Sequence, residues 1–347
     1  MAERLRDHTT LRLGGPAAHW VEATTEAELI EAVRRADDSG ERLLVLSGGS
    51  NLVVADEGFP GTVVHVATTG MTVDENGCED LSYCGGVLVT VAAGETWDDF
   101  VALAVQREWA GVEALSGIPG AVGATPIQNV GAYGQEVAQT IARVRTWDRR
   151  DRAVRTFFAA DCDFSYRHSR FKADPARYVV LDVTFQLRQG SMSEPMAYAE
   201  LARTLGVEFQ GRAPLAQVRE AVLGLRRGKG MVLDATDHDS WSAGSFITNP
   251  ILTSEVAAAL PESAPRWPMP DGRVKTSAGW LIEHAGFAKG HGNARVSLST
   301  KHTLALTNRG AATTEDLLSL AREVRDGVEE AFGVRLVNEP VLVGCSL

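Results

Sequence analysis

A glycine turn that joins two strand-like runs is the feature that most restricts the fold of this chain. Residues 42–47 contain the apolar run Leu-Leu-Val-Leu, which is typical of a buried strand. Gly48-Gly49-Ser50-Asn51 follows directly, and Leu52-Val53-Val54 then resumes a strand-like composition. A dinucleotide-binding Rossmann unit needs its glycine turn to open a helix. The order of strand, turn and strand therefore argues against a Rossmann fold.

The two ends of the chain carry clear helical signals. Residues 25–40 begin with a capping box, in which Thr25 and Glu28 bond to each other's backbone donors, and they end at Gly40. Residues 314–332 have the periodicity of a long amphipathic helix, with an inward face formed by Leu317, Ala321, Val324 and Val328. The sequence therefore predicts one helix near each end.

Further helices are predicted in the middle of the chain. Residues 96–109 have an apolar helical face, and Gly111 is expected to end that helix. Helices are also predicted around residues 198–205 and 214–226, after the polar connection 189–195. Because loosely packed polar segments often separate domains, a domain boundary is expected close to this connection.

Two later strands are predicted. Residues 178–188 alternate apolar and polar side chains, which is typical of a strand with one face on a core. The apolar face carries Val179, Leu181, Val183, Phe185 and Leu187, and the other face carries Asp182, Thr184 and Gln186. A strand over residues 336–343 is expected to close the fold.

Residues 116–134 are rich in glycine and proline and carry no charged side chain. Glycines let the backbone approach a ligand closely and adopt positive φ. A tightly packed structural loop would have the same composition. We favour the ligand-binding interpretation, and the structural one stays open.

Size and charge limit the classes of function. A chain of 347 residues usually forms two or three domains. Its net charge of −11 argues against DNA or RNA as a partner, because affinity for nucleic acid depends on Lys and Arg. A small phosphorylated ligand is still possible, since a few backbone amides suffice to bind it. A polar start and the lack of a long apolar stretch predict a soluble cytoplasmic protein without a membrane partner.

Cysteine and histidine patterns argue against a metal centre. The four cysteines form no CxxC pair, and the eight histidines form no HExxH pattern. We expect the cysteines to be reduced structural thiols, at positions Cys78, Cys84, Cys162 and Cys345.

Single polar clusters are weak evidence of function. Tyr166-Arg167-His168-Ser169 could be an exposed strand end, and Arg226 with Lys229 could be a solvated helix terminus. Ser245 lacks the GxSxG context of a hydrolase nucleophile. Glu339 could be an ordinary surface carboxylate beside a proline. None of them alone indicates an activity.

The ordered combination of motifs is more specific, because the chain resembles the UDP-N-acetylenolpyruvoylglucosamine reductases over essentially its whole length. The matching stretches are Thr9–Gly15, Leu46–Leu52, Gly117–Gly123, Pro126–Gly134, Tyr166–Ser169, Gly244–Phe246 with Asn249-Pro250, Ala278–Ile282 and Asn338–Pro340. The Pro126–Gly134 stretch and a tyrosine in Met196–Leu201 are similar to the longer subtype, in which that tyrosine closes over the substrate.

The resemblance implies an α+β fold. It comprises a two-subdomain FAD-binding module of the PCMH/vanillyl-alcohol-oxidase type and a C-terminal α+β substrate domain. The expected boundaries are 1–66 for the first subdomain, completed by a strand at about 335–347, then 67–205 for the second and 206–334 for the substrate domain.

The resemblance also implies noncovalent FAD, with NADPH as hydride donor and UDP-N-acetylglucosamine enolpyruvate as substrate. Backbone amides of the glycine turn would bind the FAD pyrophosphate. The implied cofactor residues are Ser47, Gly48, Gly49, Ser50, Asn51, Ser116, Gly117, Ile118, Pro119, Gly120, Gly123, Gln128 and Asn129.

The implied catalytic residues have separate roles. Arg167 and Glu339 would polarise the substrate carboxylate, and Ser245 would donate a proton to the carbon next to it. Glu339 would have to be protonated, hydrogen-bonded or linked through water as charge develops. The implied substrate-binding residues are Tyr166, Tyr198, Arg226, Lys229 and Asn249.

The match has departures, and alternatives exist. Residues 289–293 lack a glutamine found in some relatives, and residues 226–230 lack the Leu-Pro pair that often follows the lysine. One alternative is another FAD-dependent carbohydrate or alcohol oxidoreductase on the same scaffold. The other is a noncatalytic nucleotide-sugar-binding relative. A monomer is favoured over an oligomer.

Overall fold

The computed structural model describes residues 3–74 and 86–347, so the predictions for Cys78 and Cys84 lie outside the described residues. Two compact units can be distinguished. Unit 1 comprises Met1–Ala18, Gly49–Pro60 and Arg227–Leu347, and unit 2 comprises His19–Gly48 and Gly61–Arg226. The three-part domain division expected from the resemblance stays a prediction.

Helices and strands are mixed along the chain, which confirms the predicted α+β class. The helices are α1 Glu26–Ser39, α2 Trp97–Gln106, α3 Thr125–Gln128, α4 Arg170–Ala173, α5 Ala199–Thr204, α6 Leu215–Gly228, α7 Ser254–Ala259, α8 Ala278–His284 and α9 Thr314–Phe332. The first ten strands are β1 Ala17–Ala23, β2 Leu43–Leu46, β3 Leu52–Val54, β4 Phe59–Val66, β5 Met71–Asp74, β6 Gly86–Ala92, β7 Trp109–Ala110, β8 Gly131–Ala132, β9 Gln135–Glu136 and β10 Ile141–Asp148. The others are β11 Ala153–Phe158, β12 Tyr178–Gln189, β13 Ile251–Leu252, β14 Arg266–Pro268, β15 Val274–Thr276, β16 Val296–Leu298, β17 Leu306–Asn308 and β18 Val341–Val343.

The helical predictions near the two ends are confirmed. Helix α1 has the capping box of Thr25 and Glu28, and Gly40 ends it in the left-handed conformation at φ 68°. Helix α9 has the predicted bounds and buries the predicted apolar face. The helices expected around residues 198–205 and 214–226 are α5 and α6. In these segments local capping and periodicity were sufficient to identify the helix.

The end of helix α2 was predicted wrongly. The helix stops at Gln106, and Glu108 then has a positive φ of 57°. Trp109 lies in β7, which pairs with the end of β12. Sheet pairing therefore ends the helix before Gly111.

Strand β12 was predicted to have only one face on a core, and this was wrong. From Val179 to Phe185 both faces are buried, and the polar face is covered in part by side chains of the neighbouring strands β10 and β6, which bond to Asp182 and Thr184. The second face buries Asp182, which forms an ion pair with Arg145. The strand itself was predicted correctly, but burial of a charge through a partner on another strand cannot be read from alternation.

The glycine turn does join two strands, as predicted, and those strands belong to different sheets. Strand β2 pairs with β4 in parallel, and β3 pairs in parallel with β18. Strand β2 is only partly buried, whereas a fully buried strand was expected. The closing strand β18 is shorter than the predicted 336–343.

Each unit has its own core. The core of unit 2 contains Trp97, Phe100 and Phe185, whose rings contact one another. The core of unit 1 contains Phe246 and the buried face of α9. Among the described residues, no helix is both long and apolar enough to span a membrane.

Candidate active site

The two glycine-rich segments that were predicted to bind the cofactor meet within unit 2. A Cβ at Gly48 would lie 2.6 Å from the Cα of Gly120. Because that distance is below any real Cβ contact, the two backbones can pack only while Gly48 has no side chain. Ser47 beside it is partly buried and Gly48 is exposed.

The second half of the turn is supported within unit 1. Gly49 has a positive φ of 55°, and a Cβ there would lie 1.9 Å from the carbonyl oxygen of His8. Its own carbonyl accepts a hydrogen bond from the amide of Thr10 at 3.2 Å. Ser50 and Asn51 follow, both partly buried. The N-terminal segment therefore fixes the conformation of this half of the turn.

A carboxylate holds the second glycine segment. Gly117 has a positive φ of 71°, and its amide donates to Asp98 at 2.6 Å. Arg219 on α6 donates to both oxygens of the same carboxylate, at 2.6 and 2.9 Å. Burial favours a higher pKa for Asp98, but the hydrogen bonds from Arg219 and Gly117 outweigh it and lower the pKa below its ordinary value.

The rest of this segment presents backbone and small apolar groups. Gly120 has a φ of 114°, and its carbonyl accepts a bond from Trp97. A Cβ at Gly123 would lie 2.5 Å from the Cβ of Ala93. Ile118 and Pro119, which lie between Gly117 and Gly120, are partly buried.

Two of the predicted cofactor residues use their side chains inside the protein. The Ser116 hydroxyl is buried and donates to the carbonyl of Glu113 at 2.7 Å. The buried amide nitrogen of Asn129 donates to Glu136 at 3.0 Å and to the Ser165 carbonyl at 2.9 Å. These two residues can therefore contribute to a ligand site mainly through loop geometry and backbone. Gln128, in contrast, is partly exposed at the end of α3.

A buried carboxylate, that of Glu113, organises the same region. Glu113 accepts hydrogen bonds from the Gly111 amide at 2.7 Å, from the Gln135 side chain at 3.0 Å and from the Glu194 amide at 2.9 Å. Glu194 belongs to the loop that leads to Tyr198. Glu113 therefore ties the start of the glycine segment to the tyrosine loop.

Arg167 lies in a tight backbone turn of unit 2. Ser165 and His168 exchange backbone hydrogen bonds, and Arg167 between them has a positive φ of 54°. Its guanidinium donates to the Gly131 carbonyl at 3.1 Å and lies 5.4 Å from the ring centre of Tyr166. The predicted catalytic arginine is thus held beside the glycine-rich segment by backbone contacts.

Two further predicted substrate residues lie on the α6 side of unit 2. Tyr198 is 39% exposed, and its ring meets the edge of Tyr133 at 5.3 Å between centres. Arg226, near the end of α6, is buried. Burial lowers the pKa of Arg226 to about 10, against the opposing effects of Tyr133 and Asp98.

Unit 1 brings the other two predicted catalytic residues together. The Glu339 amide donates to the carbonyl of Phe246 at 2.8 Å, and Ile247 is bridged to Asn338. Ser245 precedes Phe246 directly and is partly exposed. Within the described residues its hydroxyl has no hydrogen-bond partner, so it can face a reacting group.

Asn249 and Lys229 complete the predicted set in unit 1. The Asn249 side-chain oxygen accepts a bond from the Ala278 amide at 3.0 Å, at the start of α8. Lys229 follows α6 and is partly buried. Next to it, Gly230 has a positive φ of 66° and packs against the buried Asp239.

The residues present fit a bound dinucleotide. At Gly48, Gly49 and Gly123 a Cβ would clash with neighbouring protein atoms, so the two segments are closely packed glycine turns, and backbone amides in such turns can bind phosphate oxygens without a charged side chain. Within residues 3–74 and 86–347, no group of three or more His, Cys, Asp or Glu side chains could hold a metal ion. A site built on backbone amides suits FAD.

Sequence reasoning missed the residues that support this site. Asp98 and Glu113 are single acids in ordinary contexts, and their partners lie far along the chain. Arg219, for example, is 121 residues from Asp98. No local motif marks such a contact.

Comparison with known families agrees with this geometry. The family described as UDP-N-acetylenolpyruvoylglucosamine reductase, C-terminal domain, matches residues 235–343. The family described as FAD binding domain matches residues 17–156. The predicted FAD-binding module in an α+β fold is therefore confirmed.

Full-length relatives carry the same name. The UDP-N-acetylenolpyruvoylglucosamine reductase of Cutibacterium acnes is 59% identical, over 98% of this chain and 89% of that protein. The one from Mycobacterium sp. (strain MCS) is 50% identical, over 98% and 94%. The crystal structure of the Thermus caldophilus UDP-N-acetylenolpyruvylglucosamine reductase covers 99% of both chains with a TM-score of 0.62 and 25% identity.

Proposed function

This chain belongs to the UDP-N-acetylenolpyruvoylglucosamine reductase family, and from that premise we propose that Arg167, Ser245 and Glu339 carry its reaction. The enzyme reduces UDP-N-acetylglucosamine enolpyruvate to UDP-N-acetylmuramate for peptidoglycan synthesis. When bound, FAD would supply the hydride chemistry, with NADPH as hydride donor and the enolpyruvyl double bond as acceptor, and the predicted residues of the two glycine-rich segments would hold it.

The observation that carries the assignment is the pairing of Phe246 with Glu339. The Glu339 amide donates a hydrogen bond to the Phe246 carbonyl, and the proposed proton donor, Ser245, directly precedes Phe246. Ser245 donates its proton to the carbon next to the substrate carboxylate. A hydroxyl is a weak acid, so the step requires a basic carbon and rapid replacement of the proton through neighbouring groups.

Arg167 and Glu339 act on the substrate carboxylate, where negative charge develops. The guanidinium of Arg167 donates a hydrogen bond to the Gly131 carbonyl at 3.1 Å. Its positive charge stabilises the negative charge that develops on the substrate carboxylate. Glu339 contributes as a hydrogen-bonded or protonated partner.

The remaining roles complete the proposal. Lys229 and Arg226 hold the UDP diphosphate, with Asn249, Tyr166 and Tyr198 around the sugar and the enolpyruvyl group. The enzyme binds FAD noncovalently and acts as a cytoplasmic monomer, without nucleic acid or membrane partners. The proposal also includes three domains that end at residues 66, 205 and 334. It further includes a role of the enzyme in cell shape and cell division.

A direct test follows NADPH absorbance under anaerobic conditions, with purified protein and with or without UDP-N-acetylglucosamine enolpyruvate. Sustained oxidation only with that substrate, together with formation of UDP-N-acetylmuramate, is expected. Denaturation should release the flavin, whereas an oxidase with covalently attached FAD would retain it. Flavin reduction without product formation would favour another oxidoreductase, and flavin binding without reduction would favour a noncatalytic relative.

A further inference from the structure

Thr10, in the N-terminal motif Thr9–Gly15, bonds to two functional segments of unit 1. Its backbone amide donates to the carbonyl of Gly49 at 3.2 Å, in the glycine turn. Its hydroxyl donates to the carbonyl of Ser242 at 2.6 Å, three residues before Ser245. Thr10 is buried, so both bonds are shielded from water.

Neighbouring contacts hold the same two segments. The Arg12 guanidinium lies 3.7 Å from the ring centre of Trp241. Asn308 donates from its backbone to the Trp241 carbonyl and from its side chain to the Leu11 carbonyl, both at 3.0 Å. The segment before Ser245 is therefore packed on the N-terminal motif over several residues.

A second connection joins Ser245 to the glycine turn from the other side. The Glu339 amide bonds to Phe246, and two residues later the Val341 amide donates to the Asn51 carbonyl at 2.9 Å. Strand β18 then runs beside β3. The hydrogen bonds thus form a closed path from Gly49 through Thr10 and Ser242 to Phe246 and back to Asn51.

We propose that Thr10 is a positioning residue, which sets the distance between the cofactor-binding turn and the proton donor Ser245. The inference rests on the proposed function, since it assumes that the turn holds FAD and that Ser245 donates the proton. In the closed path, the hydrogen bond from Thr10 to Ser242 is made by a side chain, whereas the others are made by the backbone. A single substitution at Thr10 can therefore remove that bond and leave the backbone bonds in place.

The expected consequence is selective. Moving Ser245 by a fraction of an ångström slows proton donation, because rates depend steeply on the placement of reacting groups. NADPH oxidation by the bound flavin does not use Ser245. Loss of the Thr10 hydroxyl therefore affects the substrate half of the reaction and spares the NADPH half.

The test uses three variants of the full chain loaded with FAD. Thr10→Val keeps the shape and removes the hydroxyl, and Thr10→Ser restores a hydroxyl. Thr314→Val is the matched control, because the buried Thr314 hydroxyl also donates to a carbonyl at 2.6 Å in unit 1, that of Val54. That bond joins α9 to β3 and does not reach the 242–245 segment.

Two measurements are made on each variant. The first is rapid-mixing kinetics of flavin reduction by NADPH and of reoxidation by UDP-N-acetylglucosamine enolpyruvate. The second is amide hydrogen exchange of a peptide covering residues 242–246 in the protein without cofactor, which reports the local packing independently of activity.

For Thr10→Val we expect reoxidation by substrate to slow about tenfold or more, with NADPH reduction changed less than about twofold. Exchange of the 242–246 peptide should accelerate. Thr10→Ser should recover most of the rate, and Thr314→Val should leave the ratio of the two half-reactions unchanged.

Equal slowing of both half-reactions in Thr10→Val, no slowing at all, or a failure of Thr10→Ser to recover would overturn the inference. If unaltered protein is reduced by NADPH but is not reoxidised by the substrate, the proposed function fails instead. Exchange that stays unchanged in Thr10→Val would contradict the packing argument, whatever the activity shows.

Discussion

The two glycine-rich segments present the same kind of backbone surface, but they are supported in different ways. The turn Gly48–Asn51 is held by backbone, with Gly49 in close contact with the His8 carbonyl and bonded to Thr10. The segment Ser116–Gly123 is held by side chains, since Asp98 binds the Gly117 amide and Glu113 ties its start to other loops. One support is steric and the other is electrostatic.

This difference determines which changes damage each segment. In the turn, the glycine itself is indispensable, because no side chain fits. In the second segment the side chains of Asp98 and Glu113 also hold the backbone, so sensitive positions lie outside the glycine motif as well. A substitution that respects every glycine can therefore still release this segment.

The largest effect is expected for Gly49→Ala. Its Cβ would meet backbone at 1.9 Å with φ 55°, so we expect a loss of about 4 kcal/mol or more in unfolding free energy, together with loss of FAD. Gly40→Ala is the control, because Gly40 has a similar φ of 68° with nothing within 4 Å of the added Cβ. That variant should lose only about 1 kcal/mol and keep FAD. Urea unfolding and flavin titration measure both, and equal losses in the two variants would contradict a steric support.

The next largest effect is expected for Asp98→Asn. Losing the carboxylate weakens the bonds to Arg219 and Gly117, at a cost of about 2 kcal/mol, and lowers FAD affinity. Asp148→Asn is the control: it breaks a comparable pair with Arg177 away from the glycine segment, so stability falls while FAD affinity is kept. A loss of FAD affinity in both variants would show a general rather than local effect.

Asp98 also predicts a pH dependence. Its pKa is lower in the folded protein than in the unfolded chain, so the carboxylate stabilises the fold at pH values above its unfolded pKa, about 4. This contribution disappears as the pH falls through the folded pKa. Unfolding free energy measured between pH 6 and acid conditions should therefore fall more for the unaltered protein than for Asp98→Asn; parallel curves would contradict the assignment.

A smaller and more specific effect is expected for Glu113→Gln. The glutamine side chain keeps one acceptor oxygen, but its NH₂ group then faces an N–H donor that the carboxylate accepted before. We expect this to cost about 1.5 kcal/mol of unfolding free energy at the buried site and to loosen the loop leading to Tyr198. The KM for the enolpyruvyl substrate should rise about tenfold, with flavin content unchanged. Steady-state kinetics would contradict this role if kcat fell while KM stayed the same.

Much of the fold could be predicted from local sequence signals. The capping box of Thr25 and the periodicity of residues 314–332 gave helices with correct bounds, because neighbouring residues in the chain supply their own partners. The early end of α2 and the second buried face of β12 could not be predicted in this way. Both depend on strands paired from elsewhere in the sheet.

In the candidate site, too, local sequence predicted some residues, and contacts between distant residues determine the others. The glycine segments were visible because close backbone contact requires glycine, whatever supplies the contact. Asp98, Glu113 and Thr10 were not visible as supports, because their roles depend on Arg219, Glu194 and Ser242, which the fold brings in from distant positions. The roles of Arg167, Ser245 and Glu339 come from family resemblance and stay predictions.

Ser245→Ala in a single-turnover experiment tests the central claim most directly. The variant should bind FAD and be reduced by NADPH at the rate of the unaltered protein, because the glycine segments are intact. Formation of UDP-N-acetylmuramate on addition of the enolpyruvyl substrate should fall by about 10² to 10⁴-fold. Product formation at the rate of the unaltered protein would contradict the assignment of Ser245 as the proton donor.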